Sequence, residues 1–167
     1  MHCYLTIDLE DYKHATMRDM KISPIADPDQ TARGVRNILS ILSESPGKKT
    51  ATFFTTGQVA RDQPELISEL SHAGHEIGCH TNEHDYVRDM SREEFNNDLE
   101  KAIESIQNCS GKKVLGFRAP NFSIDNNCSW FYEVLAEQGF AYDSSIYGNN
   151  GTCIQEVSCP KLNLTGG

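Results

Sequence analysis

No CxxC pair occurs anywhere in the 167 residues, although six cysteines are present (Cys3, Cys79, Cys109, Cys128, Cys153 and Cys159). Neither a zinc ribbon nor a thioredoxin-type dithiol is therefore signalled. The opening MHCYLTIDLE lacks a basic stretch followed by a long apolar one, so it does not read as a secretory signal. The expectation is a cytoplasmic protein with reduced thiols. No run approaches the ~18 apolar residues of a membrane span. Lys/Arg-rich segments are missing too, and 24 acidic residues against 15 basic ones give a net charge of −9. Such a surface repels phosphate backbones, which excludes nucleic acid as a partner class. Low-complexity tracts and internal repeats are also absent.

What is present describes an ordinary globular chain: 38% hydrophobic and 23% charged residues, with a length that predicts one domain over 1–167. Strand-like and helix-like segments alternate. HCYLTID (2–8) is β-prone and ends in acid, and Pro24 and Pro28 exclude a long helix in the polar stretch that follows. From Gln30, Val35, Ile38, Leu39 and Leu42 share one helical face. TATFFTT (50–56) is a buried strand candidate. Pro64 opens a helix that stops at Gly74. HEIGCH is a third strand. In the helix that follows, Ser91 and Glu94 form a capping box, and Phe95, Leu99, Ala102, Ile103 and Ile106 form its apolar stripe. KKVLGFRAP is a fourth strand, CSWFYEVLAEQGF a helix ending at Gly139, and AYDSSIY a fifth strand or its exit. This alternation predicts a parallel α/β sheet or an open barrel.

The polar residues gather where such folds do chemistry. Asp8–Asp11, His80 with His84, Arg118, and Asp143–Ser145 each sit at or just past the C-terminal end of an expected strand, the edge that binds ligands in parallel α/β architectures. HxxxH alone is a loose pattern, equally at home on a solvated loop. Beside an acidic strand exit, two imidazoles and one carboxylate make an open-sided metal set of the catalytic kind. Asp8 and Glu10 face the same side if their strand continues, whereas Asp11 does so only if the chain has turned. A guanidinium at Arg118 would orient Asp8. His72 and His75 flank a helix end and read as cap and surface residues. Phe53, Phe54, Trp130 and Phe131 read as core.

The segments TIDLEDY, ATFFTTGQVA, PELISELSHAGHEIGCHTNEH, GFRAPNFS and YDSSIY resemble, in order and spacing, the NodB-like polysaccharide deacetylases of carbohydrate esterase family 4. The DLEDY and YDSSIY variants are most similar to the branch associated with surface-polysaccharide biosynthesis. The resemblance covers about residues 3–147. It implies an incomplete or distorted (β/α) barrel, a divalent metal (commonly zinc), and removal of acetyl groups from an N-acetylated sugar or glycan. It makes Asp8 the catalytic base and His80 and His84 metal ligands. Leu9 fills the slot of the usual metal-binding acid, leaving the third ligand as Glu10 or Asp11. It further makes Arg118 the partner of Asp8, the Asn121 N–H an oxyanion donor, and Pro120 and Asp143 substrate-side residues. The family's late Leu-x-x-His acid has no counterpart, since no histidine follows His84. The resemblance thus reaches only the first part of the family's domain, implying a missing C-terminal portion or completion by an oligomer. Three alternatives compete. HTNEH fits the H-x-x-E-H of a metallopeptidase if it lies on a helix. Cyclic amide hydrolysis uses similar ligands. A catalytically incomplete fragment would bind metal or glycan only.

Overall fold

The computed structural model describes residues 4–12, 20–21, 29–47, 49–125, 127–146 and the backbone of 155–156. His2 and Cys3 of the first expected strand, Tyr147 of the last, and His14 lie outside these residues. Strands β1 (Thr6–Leu9), β2 (Thr52–Thr55), β3 (Glu76–Cys79), β4 (Gly116–Phe117) and β5 (Tyr142–Asp143) pair in parallel and in sequence order. A sixth, β6 (Gln155–Glu156), runs antiparallel to β5. Sequential parallel winding is barrel winding; a doubly wound sheet reverses its order at a switch point. The fold is therefore α/β, an incomplete (β/α) barrel, in which β1 pairs on one side only among the described residues.

The helices form for local reasons that the sequence declares. Helix α1 (Gln30–Glu44) turns Val35 inward, with Leu39 and Leu42 against the core. The short α2 (Gly57–Asp62) was not expected from the sequence; Thr56 caps it, its side chain accepting from the Val59 N–H. Pro64 begins α3 (Pro64–His72), where a missing N–H costs nothing. In α4 (Arg92–Ser110) the capping box is reciprocal: the Glu94 N–H donates to Ser91 Oγ at 3.2 Å and the Ser91 N–H to Glu94 Oε2 at 2.8 Å. Gly111, at φ 66°, ends it in a left-handed conformation that suits glycine. Helix α5 (Phe131–Glu137) completes the helical layer.

Alternation along the strands divides the sheet into two chemically different faces. The helix-side face carries Leu9, Phe53, Ile77, Cys79 and Phe117, all buried. There Phe117 meets Phe95 of α4 and Phe131 of α5 edge-on, with centroids 5.6 and 5.7 Å apart. Each such fully buried aromatic contributes about 2–3 kcal/mol of transfer free energy. On the other face, Thr52 Oγ1 donates to Glu76 Oε2 at 2.7 Å, and Arg118 lies 4.3 Å over the Phe54 ring. This second face leads to the strand ends that hold the site. His75 corrects one expectation: it is buried, with Nδ1 accepting from the Ala51 N–H at 3.1 Å and its ring edge-on to Phe53. Burial lowers its pKa below the ordinary imidazole value.

Candidate active site

Two carboxylates leave the end of β1 on the same side, two residues apart, and meet different partners. Asp8 Oδ1 accepts from Arg118 Nη1 at 2.7 Å. Glu10 reaches the imidazoles: its Oε2 contacts His84 Nε2 and stands 3.8 Å from His80 Nε2. Ligand atoms of Glu10, His80 and His84 all lie within 4.8 Å of one another. The neighbouring Asp11 is buried but does not join this cluster.

Arg118 is 8% exposed and its guanidinium is almost fully engaged. Besides Asp8, Nη2 donates to Thr6 Oγ1 at 3.0 Å and Ser144 Oγ at 2.8 Å, while Nε donates to the Ser144 carbonyl at 3.3 Å. A planar fork held from four sides leaves Asp8 little choice of orientation. The Arg118 backbone carbonyl lies 2.7 Å from His80 Nδ1. A carbonyl can only accept, so Nδ1 carries the proton and the Nε2 lone pair faces Glu10. This second hydrogen bond commonly sets the ligand tautomer at metal sites. Burial, the dominant influence, lowers the His80 pKa and favours the neutral ring, although the nearby Asp8 charge pulls the other way.

Two imidazole nitrogens and one carboxylate oxygen converging on one point suit a divalent cation. The set has the N/O composition of a catalytic site with positions left for water and substrate. The metallopeptidase geometry does not arise. Residues 80–84 form a loop after β3, with Thr81 and His84 at φ 62° and 61°. Glu83 is exposed and lines a separate acidic cleft of about 760 Å³ with Asp85, Asp89, Glu94 and Asp98.

Pro120 and Asn121 follow Arg118 into a turn in which Asn121 and Phe122 are both left-handed, each at φ 50°. The turn's own hydrogen bonds come from the Phe122 and Ser123 N–H groups, to Ala119 and Pro120. It is pinned at both ends. The Ala119 N–H donates to Ser145 Oγ at 2.8 Å, and Ser123 Oγ accepts from the Val87 N–H at 3.0 Å. Asp143, expected on the substrate side, lies beneath the rim with no exposed surface. Its Oδ1 accepts from Ser145 Oγ at 2.5 Å and its Oδ2 from the Ser145 N–H at 3.1 Å. Its place is under the turn, holding Ser145, while burial raises its pKa. Pro120 is also buried. Thr6, Ser144 and Ser145 were not singled out by sequence reasoning as partners of these residues; the serines' position beside Asp143 at a strand exit was the available signal.

Known proteins bear on this arrangement. Residues 27–142 match the model of the polysaccharide deacetylase family. The chain belongs to the polysaccharide deacetylase family. It is 31% identical over 102 residues to a peptidoglycan deacetylase of Helicobacter pylori, covering 61% of this chain and 34% of that one. To a peptidoglycan-N-acetylglucosamine deacetylase of Bacillus cereus it is 30% identical over 133 residues, covering 70% and 48%. A crystal structure from Mycobacterium smegmatis assigned to the polysaccharide deacetylases superposes with a TM-score of 0.69 at 28% identity, over 86% of this chain and 50% of that one. The chain spans about a third to a half of the length of these relatives. The family match starts after β1, so the parts given to Asp8 and Glu10 rest on geometry.

Proposed function

We propose that the site removes the acetyl group from an N-acetylated sugar by metal-dependent hydrolysis. The observation that carries this reading is the pair of separated carboxylates at the end of β1: Asp8 held by Arg118, and Glu10, just past the strand, against His80 and His84. One carboxylate is thereby free for proton transfer while the other completes a cation site. Glu10, His80 and His84 would hold the ion, and their mixed N/O donor set favours zinc. When bound, such an ion supplies Lewis acidity and makes water a nucleophile near neutral pH.

The chain's own groups do the rest. Asp8 keeps one oxygen outside its Arg118 bond and a side chain 35% exposed, so it can take a proton from the attacking water. The Asn121 N–H, in its pinned left-handed turn, would donate to the oxygen that becomes negative as the carbonyl is attacked. The C–N bond then breaks, acetate leaves, and the amine needs a proton. Asp8, protonated by the attacking water, would be placed to return that proton to the amine. Beside the turn, a cleft of about 520 Å³ lined by Phe122, Ile124, Asp125, Ser129 and Tyr132 offers aromatic faces and polar groups to a sugar ring.

The test is acetate release from N-acetylhexosamine oligomers by zinc-loaded protein. Release that vanishes in D8N and H80A supports the reading. Tight zinc binding without release would favour a chain that assembles the site but does not turn over. That second reading draws on β1, whose outer side no described strand covers.

A further inference from the structure

The two histidines are separated by a strained segment, and its middle residue is gripped on every polar group. Asn82 is 6% exposed. Its carbonyl accepts from the Gln58 N–H at 2.9 Å, and the preceding Thr81 carbonyl accepts from the Gly57 N–H at 3.0 Å. These are the first N–H groups of α2, which have no partner inside that helix. The Asn82 N–H donates to Asp98 Oδ2 of α4 at 2.9 Å. Its side-chain Oδ1 accepts from Arg61 Nη1 at 2.6 Å, and the same nitrogen reaches Ser105 Oγ of α4 at 3.1 Å. Its Nδ2 lies 3.4 Å from Glu83 Oε1. Thr81 and His84, on either side, both have positive φ. For a β-branched threonine this is a genuine outlier, and such conformations persist only where the surroundings over-determine them.

We infer that Asn82 is a positioning residue for the cation site, and that Asp98 and Arg61 act through it. The clamp joins α2 and α4 to the loop at the middle residue between His80 and His84. It touches no ligand atom, so its role is to fix where the two Nε2 atoms point. The inference rests on the metal-dependent reading. It adds that the affinity of the site is set partly on the far side of the loop, by residues that never meet the ion. Groups that orient metal ligands in this way are commonly worth 10–100-fold in metal affinity.

The experiment measures Zn²⁺ affinity by competition with a chelating dye and the visible spectrum of the Co²⁺-substituted protein. The comparison is between wild type, N82A, D98A and D98N. N82A and D98A are expected to bind zinc 10–100-fold more weakly and to shift the Co²⁺ bands. D98N should restore both, because it removes the same charge as D98A yet keeps an acceptor for the Asn82 N–H. Should N82A fail to fold, the D98A and D98N pair still decides. Zinc affinity within twofold of wild type and an unchanged Co²⁺ spectrum in D98A would overturn the inference, as would equal loss in D98A and D98N. A wild-type chain that binds no zinc would remove the metal reading and the clamp together.

Discussion

The backbone carbonyl of Arg118 accepts from His80 Nδ1 at 2.7 Å, so the residue that fixes the proposed base also fixes one proposed ligand. Side chain and main chain do separate jobs here. Arg118 to lysine keeps a charge near Asp8 but loses the fork that meets Asp8, Thr6 and Ser144 together. R118K is expected to lower acetate release at least ~10-fold while zinc affinity stays within about threefold, because the carbonyl is untouched. Parallel calorimetric titration and acetate assay check this. Loss of zinc binding in R118K would show that the two jobs are not separable.

Ser145 bridges a buried carboxylate to the turn that carries Asn121. Replacing it by alanine leaves the Ala119 N–H without its acceptor and Asp143 Oδ1 without its hydroxyl donor, while Oδ2 keeps the Ser145 N–H. S145A should cost about 1–3 kcal/mol in urea unfolding. It should also speed amide exchange at Ala119, while S145T restores much of both. An unaltered unfolding curve would mean that water replaces the hydroxyl at no cost.

Two glycines should respond in opposite directions. A Cβ on Gly57 would stand 2.5 Å from Asn82 Oδ1 and 2.9 Å from Ala102 Cα, the second a backbone atom of α4 that cannot swing aside. G57A is expected to destabilise by about 1–3 kcal/mol. At Gly34, inside α1, a Cβ meets nothing within 4 Å. There alanine should stabilise by ~0.4–1 kcal/mol, chiefly by restricting the unfolded chain. Chemical denaturation of both variants is the measurement, and equal shifts would contradict the packing argument.

Asp98 gives a pH signature. Burial, foremost, and then the Asp85 and Glu83 charges raise its carboxyl to about 7. A carboxyl raised on folding binds more protons in the native state. Its contribution is therefore complete below the ordinary carboxylate value near 4 and is lost as pH rises through about 7. D98N should flatten this slope and be more stable than wild type at pH 8, by on the order of 1–2 kcal/mol. Urea midpoints at pH 5 and pH 8 test it. A wild-type slope that survives in D98N would assign it to another group.

The parts legible in the sequence are those written locally. The capping box of Ser91 and Glu94, Pro64 at a helix start and the β-branched and aromatic run of β2 each state their structure within a few residues. The histidine spacing and the acids of β1 pointed to the rim for the same reason. The choice between Glu10 and Asp11 was not legible, since it depends on how far β1 stays extended before the chain turns. Asp143 misled because a strand-exit acid looks alike from sequence whether it faces solvent or supports a neighbouring turn. The grip on Asn82 was wholly invisible. Arg61 and Asp98 lie 21 and 16 positions away, and nothing in their neighbourhoods marks them as partners.

The two carboxylates of β1 have a consequence for how such a chain can change over generations. Because side chains alternate along a strand, Asp8 and Glu10 share a face only while a single residue, Leu9, separates them. Losing or gaining one residue there would send one acid toward the helix layer and an apolar side chain toward the rim. The remaining strands, the aromatic core and the histidine loop would be left as they are. The proposed chemistry and the fold would part company in one genetic step. A lineage carrying this architecture could therefore lose that proposed chemistry abruptly and keep its shape, ready for a different use.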